Sequence, residues 1–353
     1  VSAAVDVVAG LRRADRRRVG LVCAALALAL AGLVLLRVVW GTYQVTVPDL
    51  VRILGGETIP GASFIVLEEK LPRAVAGALT GAGLGTAGAL YRRTLRNPLA
   101  SPDVLGITSG AAAAVVLGLA ATSGQTGGTS DLARAGAALA GALVAMAAVF
   151  AAARSVGGER FVVAGIAVAA AGQAVVAGTM LSLSQHDLQS ATVWIAGSLN
   201  GVTWGRIGLL AAVLAVALPA AGALHARLAP ADVGPDLAHA LGARPRPTSA
   251  AALAVGAVLA AAATATVGPL AFVALLSTPV AHGLTRGRPS AAAAALTGAV
   301  IVVLADLLGA EALGVLADGA VLPTGVLTGA AGAPLMLWLL LRQGRTRGGT
   351  RSA

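Results

Sequence analysis

The chain has 353 residues, of which 57% are hydrophobic and only 11% charged, with a formal net charge of +10. Soluble domains carry about 25% charged residues, so this much apolar surface cannot be hidden in one water-facing core. Fifteen acidic residues, four histidines and one cysteine supply too few ligands for a Cys/His metal cluster and no disulfide pair, and no cofactor is expected.

The positive charge does not describe a nucleic-acid surface. The arginines stand in short groups between apolar runs, not on one basic, aromatic-interleaved face. Only a structure that satisfies its own backbone can cross lipid, at about 20 residues per helix. The expected fold is therefore all-α and polytopic, with lipid as its surroundings and about ten transmembrane helices.

Residues 1–18 form a basic segment containing Arg12, Arg13, Arg16, Arg17 and Arg18. The apolar run from Val19 to Trp40 that follows is too long for the roughly 7–15 apolar residues of a signal peptide and lacks a clear cleavage site. Cys23 inside it reads as packing. Ten runs can be placed, at 19–41, 71–91, 104–121, 132–153, 161–183, 205–228, 249–267, 269–285, 290–309 and 322–342, with Gly268-Pro269 the only break between the seventh and eighth. One transmembrane domain thus spans 19–342, followed by a basic tail at 343–353.

Alternate ends of these runs differ in charge. One side receives the 12–18 group, Arg92, Arg93, Arg96, Arg154, Arg160, Arg227, Arg244, Arg246, Arg286, Arg288 and the arginines of the C-terminal tail. The other receives Arg37, Arg52, Lys70, Arg73, Arg134 and Arg206. By the positive-inside rule both termini are cytoplasmic, as ten crossings require. Trp40, Tyr43, Trp194 and Trp204 suit interfacial anchoring on the outer side.

In the second run Gly77, Gly81 and Gly85 recur every four residues and make a flat face for a close helix neighbour. Lys70 and Arg73 stand at its outer entrance, where they are either solvated or paired with Glu68 and Glu69. At its inner end Asn97, Pro98 and Leu99 begin a tight loop bounded by Pro102 and Gly106. Between the sixth and seventh runs, about 229–247, a polar cytoplasmic loop contains Leu237, Ala240 and Leu241 at i, i+3 and i+4, with Asp236 before them and Gly242 after. That spacing suits a short helix with an apolar stripe ended by glycine. Asp306, His282 and Gln173 are the polar groups within spans. An ionisable residue there is a functional candidate by default, although Asp306 also suits a bond to a neighbouring helix's backbone.

Several segments together resemble the FecCD family of ABC importer permeases, the BtuC-like fold that serves iron-siderophore, cobalamin and haem import. They are Leu71-Pro72-Arg73, the run Arg96-Asn97-Pro98-Leu99-Ala100 through Gly106 to Gly110, and Trp194-Ile195-Ala196-Gly197-Ser198-Leu199. Gly268-Pro269-Leu270, Ala305-Asp306-Leu307-Leu308, Leu322-Pro323-Thr324-Gly325 and Gly332-Ala333-Pro334 complete the set. The chain departs from the family where Pro279-Val280-Ala281-His282-Gly283 replaces P-H-x-x-R, and an arginine after A-D-L-L is missing.

The resemblance implies a plasma (inner) membrane permease without catalysis of its own. Its partners would be an ATP-binding cassette ATPase, an extracytoplasmic substrate-binding protein and a second permease copy or relative. It also implies roles: Asp236, Leu237, Ala240, Leu241 and Gly242 in ATPase coupling, Lys70 and Arg73 in binding-protein docking, and Asn97, Pro98 and Leu99 in a cytoplasmic gate. Ferric siderophores are the expected cargo, with cobalamin or haem as alternatives. The chain has no G-x-x-x-x-G-K-[ST] phosphate loop, so energy would come from a partner. An ion-coupled secondary transporter is the competing class, but it normally needs midplane charges or broken helices.

Overall fold

The computed structural model describes residues 2–122, 130–233, 240, 245–312 and 322–348. Among them there is no strand. The helices are α1 (Ser2–Val39), α2 (Val47–Leu54), α3 (Ala62–Phe64), α4 (Leu71–Leu95), α5 (Ile107–Thr122), α6 (Asp131–Ala153) and α7 (Glu159–Met180), then α8 (Gln185–Ala196), α9 (Trp204–Arg227), α10 (Pro245–Val267), α11 (Val273–Leu284), α12 (Ala291–Leu307) and α13 (Thr324–Gly348). Each expected apolar run overlaps one helix. By length and composition, however, seven described helices qualify as spans, while Ile107–Thr122 and Val273–Leu284 are shorter apolar helices.

α4 lies at the centre, and its glycines explain why. A Cβ added at Gly81 would meet the Ala299 Cα at 2.6 Å, and one at Gly85 the Ala294 carbonyl carbon at 2.9 Å. Further along, a Cβ at Gly88 would meet the Ala274 carbonyl carbon at 2.8 Å. The flat face therefore lets the backbones of α11 and α12 touch α4 directly, a contact any larger side chain would push apart. Pro72 sits in the first turn of α4, where its ring would clash with the carbonyl four residues back in a continuous α-helix. The preceding turn, Ile65–Lys70, is wound as a π-helix, and the Leu71 N–H bonds to Val66 O. That wider turn absorbs the proline without breaking the chain's path from α3 into α4.

α1 and the outer surfaces of α7 and α9 carry apolar side chains with nothing over them, such as Leu28 at 75% exposure. Such helices are at home in hydrocarbon and not in water. Three helices lie outside the expected runs: α2, the single turn α3, and α8. α2 is capped by Thr46, whose hydroxyl accepts from the Asp49 N–H at 3.3 Å, and buries Leu50 and Ile53 in a small core with Val38, Val45, Val66 and Ala74. α8 is capped in the same way by Ser184 on Asp187.

Of the expected coupling residues, Asp236, Leu237, Leu241 and Gly242 lie outside the described residues. Ala240 is helical and exposed.

Candidate functional site

The polar groups gather at the two ends of the bundle. Arg37, Arg73 and Asp306 occupy one end of α1, α4 and α12, and Asp15, Arg92 and Ser290 the other.

At the first end the Asp306 carboxylate is 2% exposed. It accepts from Arg37 Nε at 2.9 Å, from Arg73 Nε at 2.9 Å and from the Thr324 hydroxyl at 2.8 Å. Glu311 receives Arg37 Nη1 at 3.4 Å and the Thr42 N–H at 3.1 Å. Two cations thus face two anions, and one carboxylate ties α1, α4, α12 and α13 together. A buried carboxylate is tolerable only with this degree of pairing.

Lys70 is 7% exposed and donates to the carbonyls of Val38 at 3.1 Å, Trp40 at 3.1 Å and Tyr43 at 2.6 Å. Val38 lies in the last turn of α1, where the helix dipole favours a cation. The structure therefore corrects the expectation that Lys70 and Arg73 are solvated or paired with Glu68 and Glu69. Both side chains turn inward, while the two glutamates are exposed. Lys70 and Arg73 nonetheless line a cavity of about 630 Å³ that opens at this end, with Glu68, Glu69 and Glu311 also on its wall.

Four of the segments singled out in the sequence meet close to this carboxylate. Ser198 N–H donates to Val267 O at 2.8 Å, and Gly325 N–H to Gly197 O at 2.9 Å. Gly197 and Gly268 have φ of 71° and 78°, a region that glycine enters without steric cost. A Cβ on Gly268 would stand 3.2 Å from the Gly197 Cα, and one on Gly325 2.9 Å from Pro269 O. Thr324, beside that junction, is the same residue that reaches Asp306. The segments 194–199, 268–270, 305–308 and 322–325 are thus parts of one joint.

At the opposite end Asn97 Oδ1 accepts from the Leu99 N–H at 2.9 Å, and the Ala100 N–H reaches Asn97 O at 3.1 Å. The loop turns sharply off α4, whose last residue is followed by Arg96 at φ 50°. Asn97 and Pro98 line a cavity of about 520 Å³ together with Arg92, Arg93, Arg96, His225, Asp232, Thr278, His282 and Arg288. Leu99 projects beside it at 42% exposure. Arg93 spans the cavity wall: it pairs with Asp232 and donates to the His225 carbonyl at 2.6 Å. Arg288 pairs with Asp15 of α1.

Further along the same loop both carboxylate oxygens of Asp103 are buried. Burial pushes this group up from 3.8 to about 6, opposed by Thr108, whose geometry stops short of a well-formed hydrogen bond. Because the folded value lies above the unfolded one, the stability this group confers is complete below about 3.8 and is lost as pH rises through about 6. Asp103→Asn should therefore raise the melting temperature in detergent at pH 8, the two-unit shift corresponding to roughly 3 kcal/mol. The gain should shrink at pH 4.5. An equal effect at both pH values would show that Asp103 is solvated.

Sequence reasoning missed Arg37, Glu311 and Thr324 as partners of Asp306, and missed the arginine-rich cavity. Arg37 carried a signal, since it is a charge just inside the outer end of an apolar run. Arg92 and Thr278 carried none, because they become neighbours only through the packing of α4 on α11.

Comparison with known proteins places these features in context. A profile of the FecCD transport family matches residues 27–342. The achromobactin transport system permease protein CbrC of Dickeya dadantii is 35% identical over 336 residues, covering 94% of each chain. The ferric enterobactin transport system permease protein FepG of Escherichia coli is 33% identical over 83% of this chain and 87% of its own. The Fe(3+)-citrate import system permease protein YfmE of Bacillus subtilis is 33% identical over 80% and 83% respectively. Among solved structures, an inward-facing chain of the metal-chelate ABC transporter type superposes with a TM-score of 0.78, covering 91% of this chain and 98% of that one. At 22% identity this last likeness speaks for the fold alone.

Proposed function

Because the chain belongs to the FecCD transport family, we propose that it is the permease subunit of a binding-protein-dependent ABC importer that carries ferric siderophores into the bacterial cytoplasm. The observation that carries this reading is full-length similarity to an achromobactin permease, 35% identity with 94% of both chains aligned. Relatives named for ferric enterobactin and ferric citrate support iron chelates over cobalamin or haem.

In this reading the arginine-rich end faces the cytoplasm, with both termini, in accord with the positive-inside rule. A second permease copy or a related chain completes the pathway, and a separate ATPase supplies the energy. Asp236, Leu237, Ala240, Leu241 and Gly242 serve the coupling to that ATPase, with Ala240 in an exposed position. Asn97, Pro98 and Leu99 form the inner gate. The extracytoplasmic binding protein docks over the end that holds Lys70 and Arg73. Since both are already paired, they serve docking by fixing the rim, or by exchanging their present partners for carboxylates of the binding protein. Cells lacking this chain should fail to accumulate labelled iron from a ferric siderophore and recover when it is supplied in trans. Unchanged accumulation in the deletion strain would refute the assignment.

The gate reading makes a separate prediction. Asn97 holds the loop through its own backbone bond, whereas Leu99 contributes an apolar side chain at the surface, so shortening Leu99 costs little in folding. Leu99→Ala should give wild-type yield and melting temperature but a several-fold rise in passive chelate leak through reconstituted vesicles. Reduced folding with normal tightness would make Leu99 a packing residue only.

A further inference from the structure

We propose that the arginine-rich cavity is a binding site for a phosphate-type oxyanion. Two buried polar atoms on its wall have no hydrogen-bond partner, Arg92 Nη1 and Thr278 Oγ1. They come from α4 and α11 respectively, and both line the same 520 Å³ space. Buried groups left unsatisfied in a native protein mark a missing ligand or water.

The charge on the wall decides between these two. Four guanidinium groups, Arg92, Arg93, Arg96 and Arg288, line the cavity with one carboxylate, Asp232. Asp232 is engaged by Arg93, and Arg288 is neutralised from outside the cavity by Asp15. Arg96 is engaged in an interaction of its own, so Arg92 Nη1 remains as the donor without a partner, in a half-buried setting where water alone would leave its positive charge uncompensated. A guanidinium beside a hydroxyl is a donor set suited to tetrahedral oxyanions, because the planar group gives parallel charge-assisted bonds. Ser290, the capping residue at the start of α12, completes the wall, so the positive end of that helix dipole adds to the same field. Two sources share this chemistry, a lipid headgroup and free phosphate.

The test uses the full-length chain purified in neutral detergent. Its melting temperature is followed as inorganic phosphate is titrated at constant ionic strength against chloride. In a second arm the chain is placed in phosphatidylcholine nanodiscs with and without phosphatidylglycerol, and retained lipid is counted by native mass spectrometry. Saturable stabilisation by phosphate, or selective retention of phosphatidylglycerol, is expected, and the arm that responds names the source. Arg92→Gln should weaken that response roughly tenfold to a hundredfold, as loss of a charge-assisted hydrogen bond requires. Thr278→Val keeps the shape and charge and should weaken it by a smaller factor. If Arg92→Gln does not fold, Thr278→Val alone decides. No response to either source, an equal response in wild type and Thr278→Val, or stabilisation only by an associated protein would overturn the proposal.

Discussion

Asp306→Ala is expected to remove most of the folded protein. The substitution strands the guanidinium of Arg73, leaves that of Arg37 with only its longer contact to Glu311 at 3.4 Å, both side chains being nearly buried at 11% and 5% exposure, and leaves the Thr324 hydroxyl without its acceptor. Removing one partner of a buried ion pair costs about 3–5 kcal/mol, against a total stability of about 5–15 kcal/mol for typical domains. Since the carboxylate joins four helices, the loss should appear as a fall in both extractable yield and detergent melting temperature. Asp306→Asn keeps the hydrogen-bonding shape and should fall between. Combining Asp306→Ala with Arg73→Leu should cost less than the two single changes added together, because the second change removes the stranded charge. Wild-type yield and melting temperature for Asp306→Ala would show that the cluster is solvated and adds nothing.

The second large effect is expected at the opposite end, where folding and function should separate. Ala240 is exposed, so Ala240→Glu adds a carboxylate to solvent in the isolated permease and should leave insertion unchanged. In the assembled importer the same carboxylate would be pressed into an apolar contact with the ATPase. An unpaired buried charge costs several kcal/mol, and about 1.4 kcal/mol is tenfold in affinity. Association should therefore fall by a few powers of ten, and Leu241→Asp should do the same. The measurement is co-purification of the ATPase with a permease that remains monodisperse. An intact complex in both variants would remove this segment from the interface.

How far the sequence disclosed this protein depends on the length scale of each signal. Runs of about 20 apolar residues are self-announcing, since lipid demands them, and all ten overlap helices. α2 and α8 escaped notice because each is too short to span, and their caps, Thr46 and Ser184, are small local signals amid apolar neighbours. Gly81 and Gly85 were legible as a packing face because the period of four is local, but α12 as their partner was not. Lys70 and Arg73 show the limit most clearly. In sequence they adjoin Glu68 and Glu69, yet the π-turn and α4 direct them inward, and Arg73 meets Asp306, 233 residues away. In sequence Asp306 suits either a functional role or a backbone bond, and in the fold it binds three side chains. The family segments were legible as a pattern, while their physical reason, glycines and carbonyls meeting at one joint, required the fold.

The central claim is that this chain forms the pathway of an ATP-driven ferric-siderophore importer. It is tested most directly by reconstituting the permease with its ATPase in vesicles and adding siderophore-loaded binding protein to the face bearing Lys70 and Arg73. The account predicts that loaded binding protein stimulates ATP hydrolysis and that labelled iron chelate crosses the membrane only when ATP is present. Chelate movement that proceeds without ATP and collapses with an ionophore would contradict it, and would make the chain an ion-coupled transporter.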